Sequence, residues 1–279
     1  MTLDVQTAPV APPETTPAYE TLLDLVKYRM SVRNLRPDLI PDEYVTKVLE
    51  VARWAMSGAN SQPWEFVVVK DAAMRRKLYD TYMGQNMEFL YWMEKQRHLE
   101  LRHPSFQVPG VENPREELEI IKTKQNWWQA PVHIVVLGDG RRQWGTVQGA
   151  HTFGRGQTHL WDSLANCSQL IHLAAASLGL GAQWVTIHIP EAFAKVMDTP
   201  DLLTYYLIIP LGWPAVERRP GWRRELSEIV HHDNYDRALY MSDEDAYNYL
   251  RRLRGATIPK YQSSEVDVSE QERAARDKA

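Results

Sequence analysis

The spacing of apolar and polar positions divides the chain into helices and strands. From Asp42 to Met56, Val45, Val48, Leu49, Ala52 and Ala55 recur at helical intervals behind the start signal of Pro41 and Asp42, which predicts an amphipathic helix. Trp64 to Val69 is aromatic and β-branched and predicts a strand. Residues 72 to 129 are charged and helical, broken by a loop from Pro104 to Pro114. Pro131 to Leu137 predicts a second strand ended by the Gly138-Asp139-Gly140 turn, and the glycine-rich stretch from Gly145 to Gly156 predicts a mobile loop. The clearest helix is Asp162 to Leu178, with Leu164, Cys167, Leu170, Ile171, Ala174 and Leu178 on one face and Ala175 and Ala176 free for close packing. Gln183 to Ile189 and Leu203 to Leu211 are the remaining strands. This order predicts an α+β sandwich, a mixed β-sheet surrounded by helices.

The two ends lack such periodicity. Residues 1–18 are rich in proline and threonine, with neither the basic start nor the apolar core of a secretory signal, and predict a disordered lead-in. Residues 262–279 form a charged tail. Between them, residues 19–261 of a 279-residue chain with 44% apolar content can bury a large core as one domain. Lys and Arg number 32 against 36 Asp and Glu, a net charge of -4 that gives no support for nucleic-acid binding. No apolar run is long enough to span a bilayer, so a soluble, cytoplasmic protein is expected. The single cysteine, Cys167, excludes an intrachain disulfide and a multi-cysteine metal site, and its place on an apolar face predicts a packed thiol. His231, His232 and Asp233 are adjacent and cannot close one coordination sphere, so no metal is expected.

Two segments carry the candidate chemistry. Ser57 to Asp71 (SGANSQPWEFVVVKD) joins a turn of small and hydrogen-bonding residues to a strand, and Tyr28 to Asp38 (YRMSVRNLRPD) concentrates Arg29, Ser31, Arg33 and Arg36. In order along the chain, Arg29, Ser31 and Arg33, then Ser57, Asn60, Gln62, Pro63 and Trp64, resemble the nitroreductase family of flavin enzymes. Gly179 to Pro190 and Ile208 to Asp233 continue the resemblance, which covers roughly residues 20 to 235. Met56 stands where that family often has proline. The resemblance implies an FMN-binding homodimer whose subunits intertwine, with the active site at their interface.

FMN needs cations at its phosphate and directed hydrogen bonds at its ring. Arginine's planar fork suits a phosphate, so the resemblance makes Arg29 the anchor, with Met30 and Ser31 beside it and Arg223 or Arg224 completing the clamp; alignment favours Arg223. It places Arg33 at the pyrimidine end of the ring, where a fixed positive charge stabilises the reduced cofactor, an effect commonly worth about 3 kcal/mol at comparable sites. Met56, Ser57, Gly58 and Asn60 correspond to a loop that approaches the flavin, commonly from the second subunit. Trp184, Val185 and Thr186 would line the ring, Thr186 offering a hydroxyl to N5. The implied reaction takes hydride from NADH or NADPH and passes it to a nitroaromatic, quinone-like or halogenated aromatic substrate in ping-pong fashion. No G-x-G-x-x-G fingerprint is present, which transient nicotinamide docking does not require.

Residues 82–128 depart from a minimal nitroreductase and predict a lid. They resemble the iodotyrosine deiodinase branch, in which Glu, Tyr and Lys clamp a zwitterionic amino acid; Glu88, Tyr91 and Lys122 are the nearest counterparts, and a solvated helix face is the competing reading of these charges. The alternatives to the main function are therefore a reductive dehalogenase of halotyrosine-like substrates and a flavin-handling or sensing protein without external turnover.

Overall fold

A computed structural model of the chain describes residues 15–108, 110–142, 156–218 and 221–264. Helix α1 spans Pro17–Tyr28, α2 Asp42–Ala52, β1 Trp64–Val69, α3 Ala72–Thr81 and α4 Met87–Lys95, the last two joined by a π-helical turn at Tyr82–Asn86. Then come α5 Pro114–Thr123, β2 Val132–Asp139, α6 Gly156–Ser177, β3 Gly181–Ala182, β4 Val185–Thr186, α7 Pro190–Met197, β5 Leu203–Gly212 and α8 Asp243–Ser264.

The strands form one sheet ordered β1-β2-β5-β3, with β4 also on β5, and the named strand pairs are antiparallel. Its parallel component is the isolated bridge between Ser31 and Ala182. Strand β2 is buried along its whole length because both faces are covered. Val132, Ile134 and Val136 meet α2 and α6 through Val45, Val48, Leu164, Cys167 and Ile171. Val135 and Leu137 meet α3 to α5 and α7 through Leu78, Met87, Ile121 and Phe193. The α+β architecture with helices on both sides follows from that doubly apolar strand.

Several local expectations shift. Residues 17 and 18 of the expected lead-in already belong to α1, which Thr16 caps by accepting from the Tyr19 N–H and Pro17 opens. Gly138 and Asp139 continue β2, pairing with Thr204 and Leu203, rather than turning. Of the strand expected over Gln183 to Ile189, Val185 and Thr186 form the strand on β5 and Gln183 adds a single bond to the Pro210 carbonyl at 3.2 Å; Ile189 instead donates its N–H to Asn86 Oδ1 at 2.9 Å and leads into α7. Helix α8 carries the ordered chain to Ser264, into the expected tail. Residues 145–155 of the expected mobile loop lie outside the described residues. Cys167 is a buried thiol whose pKa burial pushes up to about 12, so it packs rather than reacts. No helix among the described residues is long and apolar enough to cross a membrane.

Candidate functional site

The arginine-bearing segment after α1 lies against the β3 edge of the sheet. Val32 and Leu35 point inward with Ala130, the Val32 N–H donates to the Ala182 carbonyl at 2.9 Å, and Arg36 donates to the Trp213 carbonyl at 2.8 Å. The approach depends on Gly181: a Cβ there would sit 2.8 Å from Leu35 Cδ2 and 3.0 Å from Val32 Cβ, so any side chain would push the segment off the sheet. With Val32 and Leu35 buried, Arg33 between them and Arg29 and Arg36 on either side are left at the sheet's margin.

Arg29 is half-buried, and its Nε has no hydrogen-bond partner. Burial lowers its pKa, and the nearby Arg223 guanidinium lowers it further. Arg223 donates to the carbonyl of its neighbour Trp222 at 2.7 Å, whereas Arg224 is held by Glu228, donating to its carbonyl at 2.6 Å and pairing with its carboxylate at 3.4 Å. Of the adjacent pair, Arg223 is thus the one that faces Arg29, while Arg224 is tied into an ion pair. His172 of α6 is also here, within the field of Arg29 and stacked 5.8 Å from the Trp184 ring with planes 17° apart. Met30 and Ser31 continue the segment, Ser31 through its bridge to Ala182.

Beyond this basic cluster opens a cavity of about 270 Å³. Arg33, Gln183, Trp184 and Thr186 line it on the sheet side, and Tyr82, Phe106, Glu94 and His103 on the side of the helical layer. Burial raises the Tyr82 pKa to about 12, with Arg33 acting in the opposite direction. Val185 alternates away and is buried in the α3–α5 core, leaving only its backbone toward this face. The π-helical turn places Tyr82, Met83 and Asn86 inward, and such insertions recur at functional sites.

The loop containing Met56, Ser57, Gly58 and Asn60 is elsewhere. Ser57 Oγ accepts from the Gln62 N–H at 3.0 Å, and Ala59, Asn60 and Gln62 have φ of 53°, 52° and 47°, a left-handed conformation unusual for residues other than glycine. Asn166 of α6 donates to the Met56 carbonyl at 3.1 Å, and the Met56 side chain is 79% exposed. Trp64 after this loop pairs with Gly138, which pairs with Thr204, while Ala182 beside Ser31 pairs with Leu211. The loop and the arginine segment are therefore on opposite edges of the sheet and about 23 Å apart along β5, at ~3.3 Å per residue.

Glu88, Tyr91 and Lys122 are not brought together. Tyr91 is fully buried and donates to Glu117 Oε2 at 3.1 Å, Lys122 pairs with Glu119 at 3.0 Å, and Glu88 is exposed on α4; none of them lines the cavity. A clamp from these residues is corrected by the packing: Tyr91 is spent inside the core on Glu117, Lys122 is held by Glu119, and Glu88 stays exposed. Among the described residues no group of His, Cys, Asp or Glu could hold a metal. His172, Gln183, His103 and His188 were missed as site residues. The one signal available was a histidine, His172, inside the apolar run of α6.

The helix-wrapped sheet with a basic cluster at one edge belongs to a known class of fold. The profile of the nitroreductase family matches residues 26–213, and the chain belongs to that family. It is 28% identical over 214 residues to 5,6-dimethylbenzimidazole synthase of Rhodospirillum rubrum, covering 74% of this chain and 92% of that protein. It is 26% identical over 208 residues to NADH dehydrogenase of Thermus thermophilus, covering 72% and 91% of the two chains. A solved structure of oxidized iodotyrosine deiodinase bound to FMN and 3-iodo-L-tyrosine superposes with a TM-score of 0.52 at 23% identity, over 77% of this chain and 100% of that one.

Proposed function

We propose that this chain is an FMN-dependent oxidoreductase that takes electrons from NADH or NADPH and delivers them to a nitroaromatic, quinone-like or halogenated aromatic compound. The observation that carries this reading is the Arg29 guanidinium, whose Nε is buried and unpartnered beside a second guanidinium, Arg223. A buried donor left unpaired costs about 1–3 kcal/mol, and a phosphate dianion offsets this with charge-assisted hydrogen bonds to both arginines. Ser31 donates to phosphate or ribityl oxygens, with Met30 between it and Arg29 in the chain. Arg224 supports the segment through Glu228 instead of meeting the phosphate.

FMN, when bound, accepts and returns two electrons. Arg33 provides a fixed positive charge that favours the reduced cofactor, and Thr186 a hydroxyl at the same cavity, with Trp184 and the Val185 backbone beside it. Tyr82, Phe106 and Trp184 give the cavity flat apolar walls that suit an aromatic substrate.

Met56, Ser57, Gly58 and Asn60 are too distant to meet a cofactor held by the arginines of their own chain, which supports a homodimer in which they serve the partner's site. Helix α1 buries none of its residues and exposes Tyr19, Leu22 and Val26, and Trp54 is 73% exposed, giving a second copy an apolar surface to cover.

A second reading is favoured by the similarity to 5,6-dimethylbenzimidazole synthase: a protein that consumes its flavin, whose dimethyl-substituted benzene ring matches that product. Anaerobic NADH or NADPH addition to the FMN-reconstituted protein separates the two. Bleaching of the flavin bands, followed by repeated reoxidation by a nitroaromatic, supports the oxidoreductase. Aerobic loss of the flavin with appearance of 5,6-dimethylbenzimidazole would favour the second reading.

A further inference from the structure

His172 is 3% exposed, and neither Nδ1 nor Nε2 has a hydrogen-bond partner. A neutral imidazole carries one N–H donor and one acceptor nitrogen, so at least one donor is buried unused. The ring lies nearly parallel to Trp184, with planes 17° apart and centroids 5.8 Å apart, so the indole does not take up either nitrogen. Helix α1, whose C-terminal cap is Arg29, packs on α6, which carries His172, and Arg29 Nε is itself a buried donor without a partner. Two unused donors from different elements thus sit at one spot, and Arg223 adds a second cationic group beside Arg29. Burial and the Arg29 charge push the His172 pKa down to about 4, so the ring is neutral at ordinary pH and offers its N–H without adding repulsion to the arginines. Packing alone does not call for histidine here, because phenylalanine would stack on Trp184 without burying nitrogens.

We propose that His172 is a phosphate ligand, donating its imidazole N–H to an oxygen of the cofactor's phosphate beside Arg29 and Arg223. This rests on the reading of that cluster as the FMN phosphate site. The oxygen accepts one hydrogen bond from each of the groups around it, and His172 restricts the site to ligands that reach the base of the α1–α6 junction.

The test compares FMN with riboflavin, which is the same molecule without phosphate, in fluorescence titrations of the apoprotein. His172→Phe is expected to weaken FMN binding ~10- to 100-fold while leaving riboflavin affinity unchanged, the loss expected for one hydrogen bond to a charged group. His172→Gln, which retains a donor, is expected to recover part of it. Equal effects of His172→Phe on both ligands, or no effect on either, would overturn the proposal. If the wild-type protein itself binds FMN and riboflavin equally, the phosphate reading of the whole cluster fails, a distinct outcome. Should His172→Phe not fold, the His172 imidazole nitrogen signals of the wild-type apoprotein decide: they shift on adding inorganic phosphate if His172 is a ligand and stay in place if it is not.

Discussion

In the helical layer of α4 and α5, cations near the core meet acids: Lys95 pairs with Glu117 at 2.6 Å, Arg97 with Glu94 at 2.6 Å and Lys122 with Glu119 at 3.0 Å. At the β3 edge, Arg29 and Arg223 face each other, and the neutral His172 joins them with both nitrogens unused. Both regions are rich in charge, yet the ion pairs of the first are answered within the chain, while Arg29 Nε and both His172 nitrogens are not. Charges answered from within the chain hold the layer together, whereas buried donors left over mark where something from outside belongs.

The comparison breaks most visibly at Glu117. It is 3% exposed and accepts from both Tyr91 and Lys95, and burial together with this contact raises the Tyr91 pKa to about 12. Glu117→Ala is expected to lower stability by about 3 kcal/mol in urea unfolding, because it strands a hydroxyl and an ammonium, while FMN affinity of the folded fraction holds. A selective loss of FMN affinity would place this network in the site. Arg29→Ala should do the opposite: roughly 100-fold weaker FMN binding by fluorescence titration, with stability of the apoprotein equal or improved. A variant that keeps FMN and loses stability would make Arg29 a structural residue.

Acid sharpens the same contrast. Burial lowers the pKa of His133 to about 3 and of His172 to about 4 from 6.5. Both take up a proton more readily when unfolded, so their contribution is complete above pH 6.5 and is lost as pH falls toward the folded values. The expected loss is about 1.4 kcal/mol per pH unit for each. Apoprotein unfolding midpoints at pH 6.5 and 5.5 measure this, and His133→Gln should flatten the decline; an unchanged slope would mean that His133 is not buried neutral. The smallest effects belong to Glu88, exposed on α4, and to Lys122, whose partner Glu119 is exposed. Glu88→Ala and Lys122→Ala should change stability by less than about 0.5 kcal/mol and leave kcat/KM for aromatic substrates unaltered, and a large rise in KM in either variant would restore them to the substrate site.

Much of the fold was legible because burial writes itself into spacing. Strand β1 has the bounds its aromatic and β-branched run predicts, and α6 presents the apolar face expected of it. Where pairing rather than pattern decides, the reading slipped: Gly138 and Asp139 look like a turn but are recruited into β2 by Thr204 and Leu203. Helix α1 was hidden because Thr16 and Pro17, read as part of a disordered lead-in, are in fact a cap and a first helical residue. The arginines of the site stood out as a cluster, but which of Arg223 and Arg224 was free depended on Glu228. Glu117, which holds Tyr91, and Arg29, which sits near His172, come from other segments of the chain, so neither the packed tyrosine nor the unpartnered histidine could be told from its neighbours in the sequence.

The most direct measurement is a crystal structure of the protein reconstituted with FMN. The account predicts the phosphate between Arg29 and Arg223, the ring in the cavity beside Arg33 and Thr186, and the Ser57–Asn60 loop of a second copy against it. A phosphate bound away from Arg29, or a cavity that stays empty while FMN binds elsewhere, would contradict it.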